Sequence, residues 1–128
     1  MTREDRELLL KDLGGRLPYG VKILDIPANV VGKLFLISTT DTVQYETADD
    51  TGIQTLYNIK PYLRPMSSMT EEEQRTLDSM CNGVETVSRL SGLKMFDKAF
   101  NWLNENHFDY RGLIEDGLAI DATGLNIY

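Results

Sequence analysis

The densest group of chemically active side chains in the sequence is His107, Asp109, Tyr110 and Arg111. A histidine near a carboxylate is the smallest unit that performs general acid–base chemistry, and an arginine can hold an anionic group through two parallel hydrogen bonds. The same residue types also serve structure, since Asp109 is a typical helix cap and Tyr110 a typical packing residue with a polar tip. The four residues are therefore a candidate functional cluster, with no reaction assigned.

A second group combines aromatic, aliphatic and basic side chains around two prolines. If these residues were exposed, they would form a docking surface for a peptide or a protein. If they were buried, they would pack a connector between two parts of the fold. Both interpretations remain open for this candidate interaction surface, which consists of Tyr57, Tyr62, Leu63, Arg64 and Met66.

The remaining residues offer little other chemistry. The single cysteine, Cys81, follows apolar residues at helical spacing, which is typical of a small buried side chain. One histidine and one cysteine do not make a zinc site, and acidic residues in turns such as Asp41, Asp49 and Asp50 are favoured there for their own backbone hydrogen bonds. Glycine-rich phosphate loops and the Gly-x-Ser-x-Gly motif are missing from the sequence. We therefore predict neither a metal nor a cofactor, and we lean against an enzyme.

Composition bounds the class of protein. The chain has 128 residues and a formal net charge of −7, from 20 acidic and 13 basic residues. That length fits one domain, and that charge disfavours both nucleic acid and an anionic membrane as partners. A lone cysteine fits a reducing compartment, the first residues lack an apolar leader, and the longest apolar run, Leu34–Ile37, is too short to span a bilayer. We predict a cytoplasmic protein.

The first half of the chain predicts one helix followed by a small sheet. Thr2 caps a helix that runs to Leu13, with Asp5 completing a capping box and Gly14-Gly15 ending it. Short alternating segments separated by turns then predict antiparallel strands, because parallel strands need long crossovers. Residues 17–60 are expected to form a strongly curved antiparallel sheet or an SH3-like partial barrel. The strands are predicted at Tyr19–Ile26, Val30–Ser38, Thr42–Thr47 and Ile53–Ile59.

The second half predicts helices. Two prolines indicate a connector over 61–69 that is neither strand nor helix, and Thr70 with Glu73 begins a helix. Residues 83–92 stay open between helix and loop. A further helix is predicted at Leu93–Glu105, then a short helix at Tyr110–Asp116, an extended segment at 118–121 and a loose tail at 122–128. The fold class is α+β, as a single domain of residues 1–128 with a β-rich part at 17–60 and a helical part at 70–117.

Two long segments carry a resemblance to known proteins. These are Ile59–Glu73 and Trp102–Ile114, with Leu17–Val21 as a weaker third. Together they resemble a family of small uncharacterised proteins encoded by phages and prophages of gut bacteria. A His-His pair of that family reads Asn106-His107 here, which argues against a paired-histidine metal site. The resemblance implies a phage or prophage gene expressed inside a bacterial cell, and it implies no activity.

Three classes of function follow from these observations. The first is a non-enzymatic phage accessory protein or interaction module that binds a host or phage protein. The second is a small hydrolase or nuclease-like enzyme that uses His107 with Asp109 or Arg111. The third is a weak nucleic-acid-binding module, which needs four basic residues to gather on one face: Lys22, Lys33, Lys60 and Arg64. Exposed strand edges also leave a homodimer open.

Overall fold

The computed structural model describes residues 1–82 and 88–128 and has an α+β fold. Its helices are α1 (Arg3–Arg16), α2 (Glu71–Cys81) and α3 (Arg89–Glu105). Single 3-10 turns stand at Leu17–Tyr19, Leu56–Asn58 and Met66–Ser68. The strands are β1 (Lys22–Asp25), β2 (Val30–Ile37), β3 (Thr42–Glu46), β4 (Thr51–Thr55), β5 (Ile59–Pro65), β6 (Phe108–Asp109) and β7 (Ile120–Asp121).

The antiparallel meander predicted for the first half is confirmed. Strand β1 pairs with β2, β2 with β3 and β3 with β4, all in the antiparallel direction, and β5 returns to pair with β1. The strand order β4-β3-β2-β1-β5-β6 does not close on itself within the described part of the chain, and β7 joins it as a second neighbour of β5. The sheet is therefore mostly antiparallel and open.

Strand β5 corrects the prediction of a strandless connector at 61–69. The amide of Ile26 donates to the carbonyl oxygen of Asn58 at 2.9 Å, so the facing pair Asp25–Ile59 is a non-hydrogen-bonded pair of the ladder. Two residues further along, Pro61 faces Ile23 in the same kind of position. Because the ladder to β1 asks for no N–H there, proline fits the strand.

Two short strands from the end of the chain complete β5. The Arg64 amide donates to the carbonyl oxygen of His107 at 2.8 Å, and the Ala122 amide donates to that of Leu63 at 2.8 Å. Since the N–H of one residue and the carbonyl of the residue before it point in opposite directions along a strand, β6 and β7 flank β5 on opposite sides. Both pair in parallel with it. The extended segment predicted at 118–121 is thus present as β7.

Helix α1 runs past its predicted end. The capping box of Thr2 and Asp5 is confirmed, but the helix continues through Gly14-Gly15 to Arg16. A Cβ at Gly15 would lie 3.3 Å from the side-chain amide of Asn104 on α3, so glycine here permits close packing. Gly15 serves the contact between the two helices, and the left-handed turn comes later, at Gly20 with φ 70°.

The helical half agrees in part with the prediction. The capping box of Thr70 and Glu73 starts α2 as expected. Of the undecided segment 83–92, Arg89 onward is helical, whereas 83–87, including Val84 and Val87 of the predicted apolar face, lie outside the described residues. The short helix predicted at Tyr110–Asp116 is wrong: this segment forms bends and turns, closed by the amide of Gly117 on the carbonyl of Ile114.

The core lies between α1 and the inner face of the sheet. Leu9 and Leu13 of α1 are completely buried there, as are Ile23 and Val43 of the strands. The turn region 113–119 closes the core from a third side. The buried cluster is Leu9, Leu13, Val21, Ile23, Leu34, Val43, Tyr45, Leu56, Ile59, Leu63, Leu113, Leu118 and Ala119.

Tyr45 occupies a position that two glycines make available. Its ring covers Gly52, its direct neighbour on β4, and reaches Gly32 on β2; a Cβ at either glycine would overlap the ring. Its hydroxyl donates to the buried carboxylate of Asp25 at 2.6 Å, a carboxylate that also accepts from Gln54 at 3.1 Å. The Asp25 carboxylate and the burial of the phenol raise the pKa of Tyr45 to about 12.

We expect Gly52→Ala to lower the free energy of unfolding by about 1–3 kcal/mol, because the added methyl group overpacks the Tyr45 ring. The matched control is Gly14→Ala in α1, where a Cβ meets no atom within 4 Å. That change should stabilise by about 0.5–1 kcal/mol through helix propensity. Urea denaturation measures both, and equal effects of the two changes would contradict the packing argument.

Candidate functional site

A buried ion network links α1 to the predicted cluster. The Asp12 carboxylate, completely buried, accepts from Arg16 Nε at 2.7 Å and from Arg111 Nη1 at 2.9 Å. Arg16 is also completely buried and donates through Nη2 to the carbonyl oxygen of Phe108 at 2.6 Å. Arg111 is therefore held by a carboxylate of its own chain.

Sequence reasoning missed Asp12 and Arg16. A signal was present, because Leu9, Asp12, Leu13 and Arg16 follow helical spacing and so share one face of α1. Polar residues on the apolar face of a helix predict a buried network, since burial of charge requires a partner.

The other cluster members are also engaged. The Asp109 carboxylate accepts the amides of Leu113 and Ile114, both at 2.9 Å, and so caps the turn that follows. The Tyr110 hydroxyl donates to Asn104 Oδ1 at 2.8 Å, and its ring lies beneath the guanidinium groups of Arg16 and Arg111, 5.3 and 4.7 Å from the ring centre. These contacts bring the predicted residues together as a structural joint.

His107 stands apart from the carboxylates of this network. It follows α3 in the left-handed conformation, with φ 64°, and its ring stacks on that of Tyr128, the two centroids 3.5 Å apart and the planes 9° from parallel. Its Nδ1 is buried and has no hydrogen-bond partner among the described residues. Burial, followed by the positive charges of Arg16, Arg64 and Lys22, lowers the pKa of His107 to about 4. The histidine–carboxylate pair of the enzyme hypothesis is thus not formed within the described residues.

The tail predicted to be loose is anchored. The Tyr128 hydroxyl donates to the carbonyl oxygen of Tyr62 at 2.8 Å and accepts the amide of Lys22 at 2.9 Å, which ties it to β5 and β1. Lys22 Nζ donates to the carbonyl oxygen of Ile127 at 2.8 Å. Tyr128 as a whole is 45% exposed, whereas burial of its phenol raises the pKa of Tyr128 to about 12.

A cavity of about 310 Å³ lies beside this anchored tail. Arg64 and Ser68 form one wall, and Asn126, Ile127 and Tyr128 contribute to the other. Arg64 brings no free charge to it, because both of its terminal nitrogens bind the Glu73 carboxylate, at 2.9 and 2.8 Å. Glu73 accordingly has a pKa lowered to about 2 by Arg64.

The predicted interaction surface is not continuous. Tyr62 and Leu63 are 7% and 0% exposed, so they belong to the interior. Tyr57 is half exposed but its hydroxyl donates to Asp41 at 3.0 Å, while Met66 is 38% exposed and Arg64 is ion-paired with Glu73. This set therefore divides between the interior and the surface.

The basic residues of the nucleic-acid hypothesis are largely paired. Lys33 lies 3.6 Å from Glu46, Arg64 binds Glu73, and Lys22 binds the Ile127 carbonyl. Across residues 1–82 and 88–128, no group of three or more His, Cys, Asp or Glu side chains is arranged to hold a metal ion. None of the described helices combines the length and apolar character that a membrane crossing needs.

Helix α3 carries an exposed apolar face. Leu90, Leu93, Phe96 and Phe100 are 64%, 67%, 42% and 47% exposed, and helical spacing puts the last three on one face with Leu103. Leu103 alone of that face is buried, at 5%. The large apolar side chains of this face are therefore buried only near the end of α3, at Leu103.

Comparison with known proteins adds no relative: no protein-family model, no curated protein and no solved structure matches the chain.

We expect Asp12→Ala to lower the free energy of unfolding by about 3–5 kcal/mol, because it leaves a buried guanidinium without its counter-charge. The control is Glu7→Ala, which removes a pair with Arg3 whose side chains are 59% and 86% exposed. That change should cost less than about 0.5 kcal/mol. Urea denaturation distinguishes the two, and a small loss for Asp12→Ala would contradict the network's structural role.

Proposed function

We propose that the protein is a non-catalytic interaction module that binds an acidic amphipathic helix of another protein on the exposed face of α3. The observation that supports this most is the exposure, between 42% and 67%, of four large apolar side chains along that face. From here on, the α3 face means Leu90, Leu93, Phe96 and Phe100.

The size of the α3 face fits a docking surface. With side chains of roughly 200 Å² each, the four residues expose roughly 450 Å² of mostly apolar area. The largest patch on a typical monomer measures about 300–600 Å² and is often functional. Single exposed apolar residues are common on protein surfaces. Four of them at helical spacing form a surface of ridges and grooves against which another helix can pack.

Charge favours an acidic partner. The chain carries a net charge of −7, yet the charged residues next to members of the α3 face in the sequence are Arg89, Lys94 and Asp97, with net charge +1. Within the described residues neither Arg89 nor Lys94 lies within salt-bridge distance of a carboxylate. The positive end of the helix dipole, where Ser88 caps α3, adds to this attraction. A second copy of α3 would bring the same net positive charge to the contact, so it is disfavoured as the partner.

The expected origin, location and partners of the protein are consistent with this proposal. The resemblance to phage and prophage proteins supports an accessory protein acting inside a bacterial cell, so host and phage proteins are the partners to consider. That origin, the cytoplasmic location and the SH3-like character of the strand region remain predictions.

The test uses two labelled synthetic helices that share one Leu/Phe face and differ only in flanking residues, Glu in one and Lys in the other. We expect fluorescence anisotropy to show at least tenfold tighter binding of the Glu-flanked helix, with the difference shrinking at high salt. Leu93→Ser combined with Phe100→Ser should weaken binding at least tenfold, because it removes the apolar anchors.

The control is Ile53→Ser on β4, since Ile53 is 67% exposed, as Leu93 is, but lies on the sheet. It should leave binding unchanged. Equal binding of both helices, or equal loss in the Ile53 variant, would indicate nonspecific apolar contact and contradict the proposal. Self-association in sedimentation velocity that the Leu93/Phe100 variant abolishes would assign the α3 face to a second copy and overturn the choice of partner.

A further inference from the structure

We propose that residues 120–128 form a strap that covers β5 and His107 and is released when His107 is protonated. The strap is built from β7, which pairs with Tyr62 and Leu63, and from the anchored ring of Tyr128. It supplies β5 with the neighbouring strand that a docking peptide would otherwise provide, so it acts as a ligand from the same chain.

Few contacts hold the strap, and each can be named. Backbone pairing reaches only two residues of β7 and the amide of Ala122 on Leu63. The Tyr128 hydroxyl and Lys22 Nζ supply three more hydrogen bonds. Most of the strap surface is exposed, including Thr123 to Asn126. A segment held by so few buried contacts is able to open locally while the core stays folded.

The surroundings of His107 are such that protonation of its ring destabilises the closed position of the strap. Three cations face it from three elements: Arg16 of α1, Lys22 of β1 and Arg64 of β5. Nδ1 is buried and finds no acceptor among the described residues. The stacked phenol would attract an imidazolium, but it also removes the water that would solvate the charge. Release of Tyr128 returns that water to the ring.

The sign of the pH dependence follows from this placement. With a pKa of about 4 when closed and 6.5 when open, His107 leaves the strap unaffected above pH 6.5 and favours opening as the pH falls toward 4. Between pH 8 and pH 4.5 the opening equilibrium should rise up to roughly 80-fold. Glu73, Asp25 and Asp41 have lowered pKa values and stay ionised in this range, so their contacts do not contribute.

Opening would uncover the residues that the sequence marked as an interaction surface. Tyr62 gives its carbonyl to Tyr128, and Leu63 gives its carbonyl to Ala122. Both groups face solvent once the strap leaves. The side chain of Leu63 stays in the core, so opening exposes the backbone of β5 as an edge on which a peptide strand can pair.

Hydrogen exchange of the full chain, followed by NMR and corrected for intrinsic rates, tests the proposal. The amides of Lys22 and Ala122 report the strap, and the Leu34 amide, bonded to Val21 at 3.0 Å, reports the core. We expect protection of the two strap amides to fall steeply below pH 6.5 while the core amide stays protected. Loss of all three together would mean global unfolding and overturn the proposal.

The variant His107→Asn separates titration from contact. Asparagine tolerates the left-handed backbone at this position and carries no proton in the range tested. Its strap should open more at every pH because the ring stack is lost, but the pH dependence should disappear. A second variant, Tyr128→Phe, keeps the stacked ring and removes the hydroxyl, so Lys22 should lose protection while the pH dependence persists. An unchanged pH profile in His107→Asn would overturn the assignment to His107.

Discussion

The buried Asp12 carboxylate is the interaction on which the rest of the structure depends. It binds two guanidinium groups, one from its own helix and one from the turn after β6. Arg16 then fixes the backbone at Phe108, whose preceding residue, His107, binds β5 through its carbonyl oxygen. A single ionised side chain thereby joins α1, the end of α3 and the central strand. Since an isolated charge in this position would be very unfavourable, the three elements are bound to assemble together.

Helix α3 carries two environments along one apolar face. Its C-terminal half packs through Leu103 and Ala99, while Leu93 and Phe96, nearer its start, remain in solvent. The spacing of apolar residues is uniform along the helix, so the difference arises from where the core ends. The polar groups of the predicted cluster around His107, by contrast, have structural roles, since each is bound to a neighbour or enclosed. The surface that we propose for a partner and the residues that suggest chemistry are therefore different parts of the molecule.

Local features were predictable from the sequence and distant ones were not. Capping boxes at Thr2 and Thr70 and the meander of β1 to β4 follow from neighbouring residues, and they were predicted correctly in kind. Strand β5 was missed because proline argues against a strand unless the ladder position is known. The role of Asp12 as a shared counter-ion was missed because one partner lies 99 residues away. Periodicity likewise located the apolar face of α3 but could not say which part another element covers.

The pairing of β5 has a consequence for synthesis on the ribosome. Its antiparallel neighbour β1 is made before it, but both parallel neighbours come from residues beyond 107. The carbonyl that receives Arg16 is 92 residues downstream of that arginine. The nascent meander therefore leaves the ribosome while β5 still lacks its two parallel neighbours. The guanidinium of Arg16, which is buried in the folded protein, is still in water at that stage. Native burial of both waits until β6 and β7 emerge, so the fold is completed only after these two segments are translated, and nascent chains are most exposed to mispairing before then.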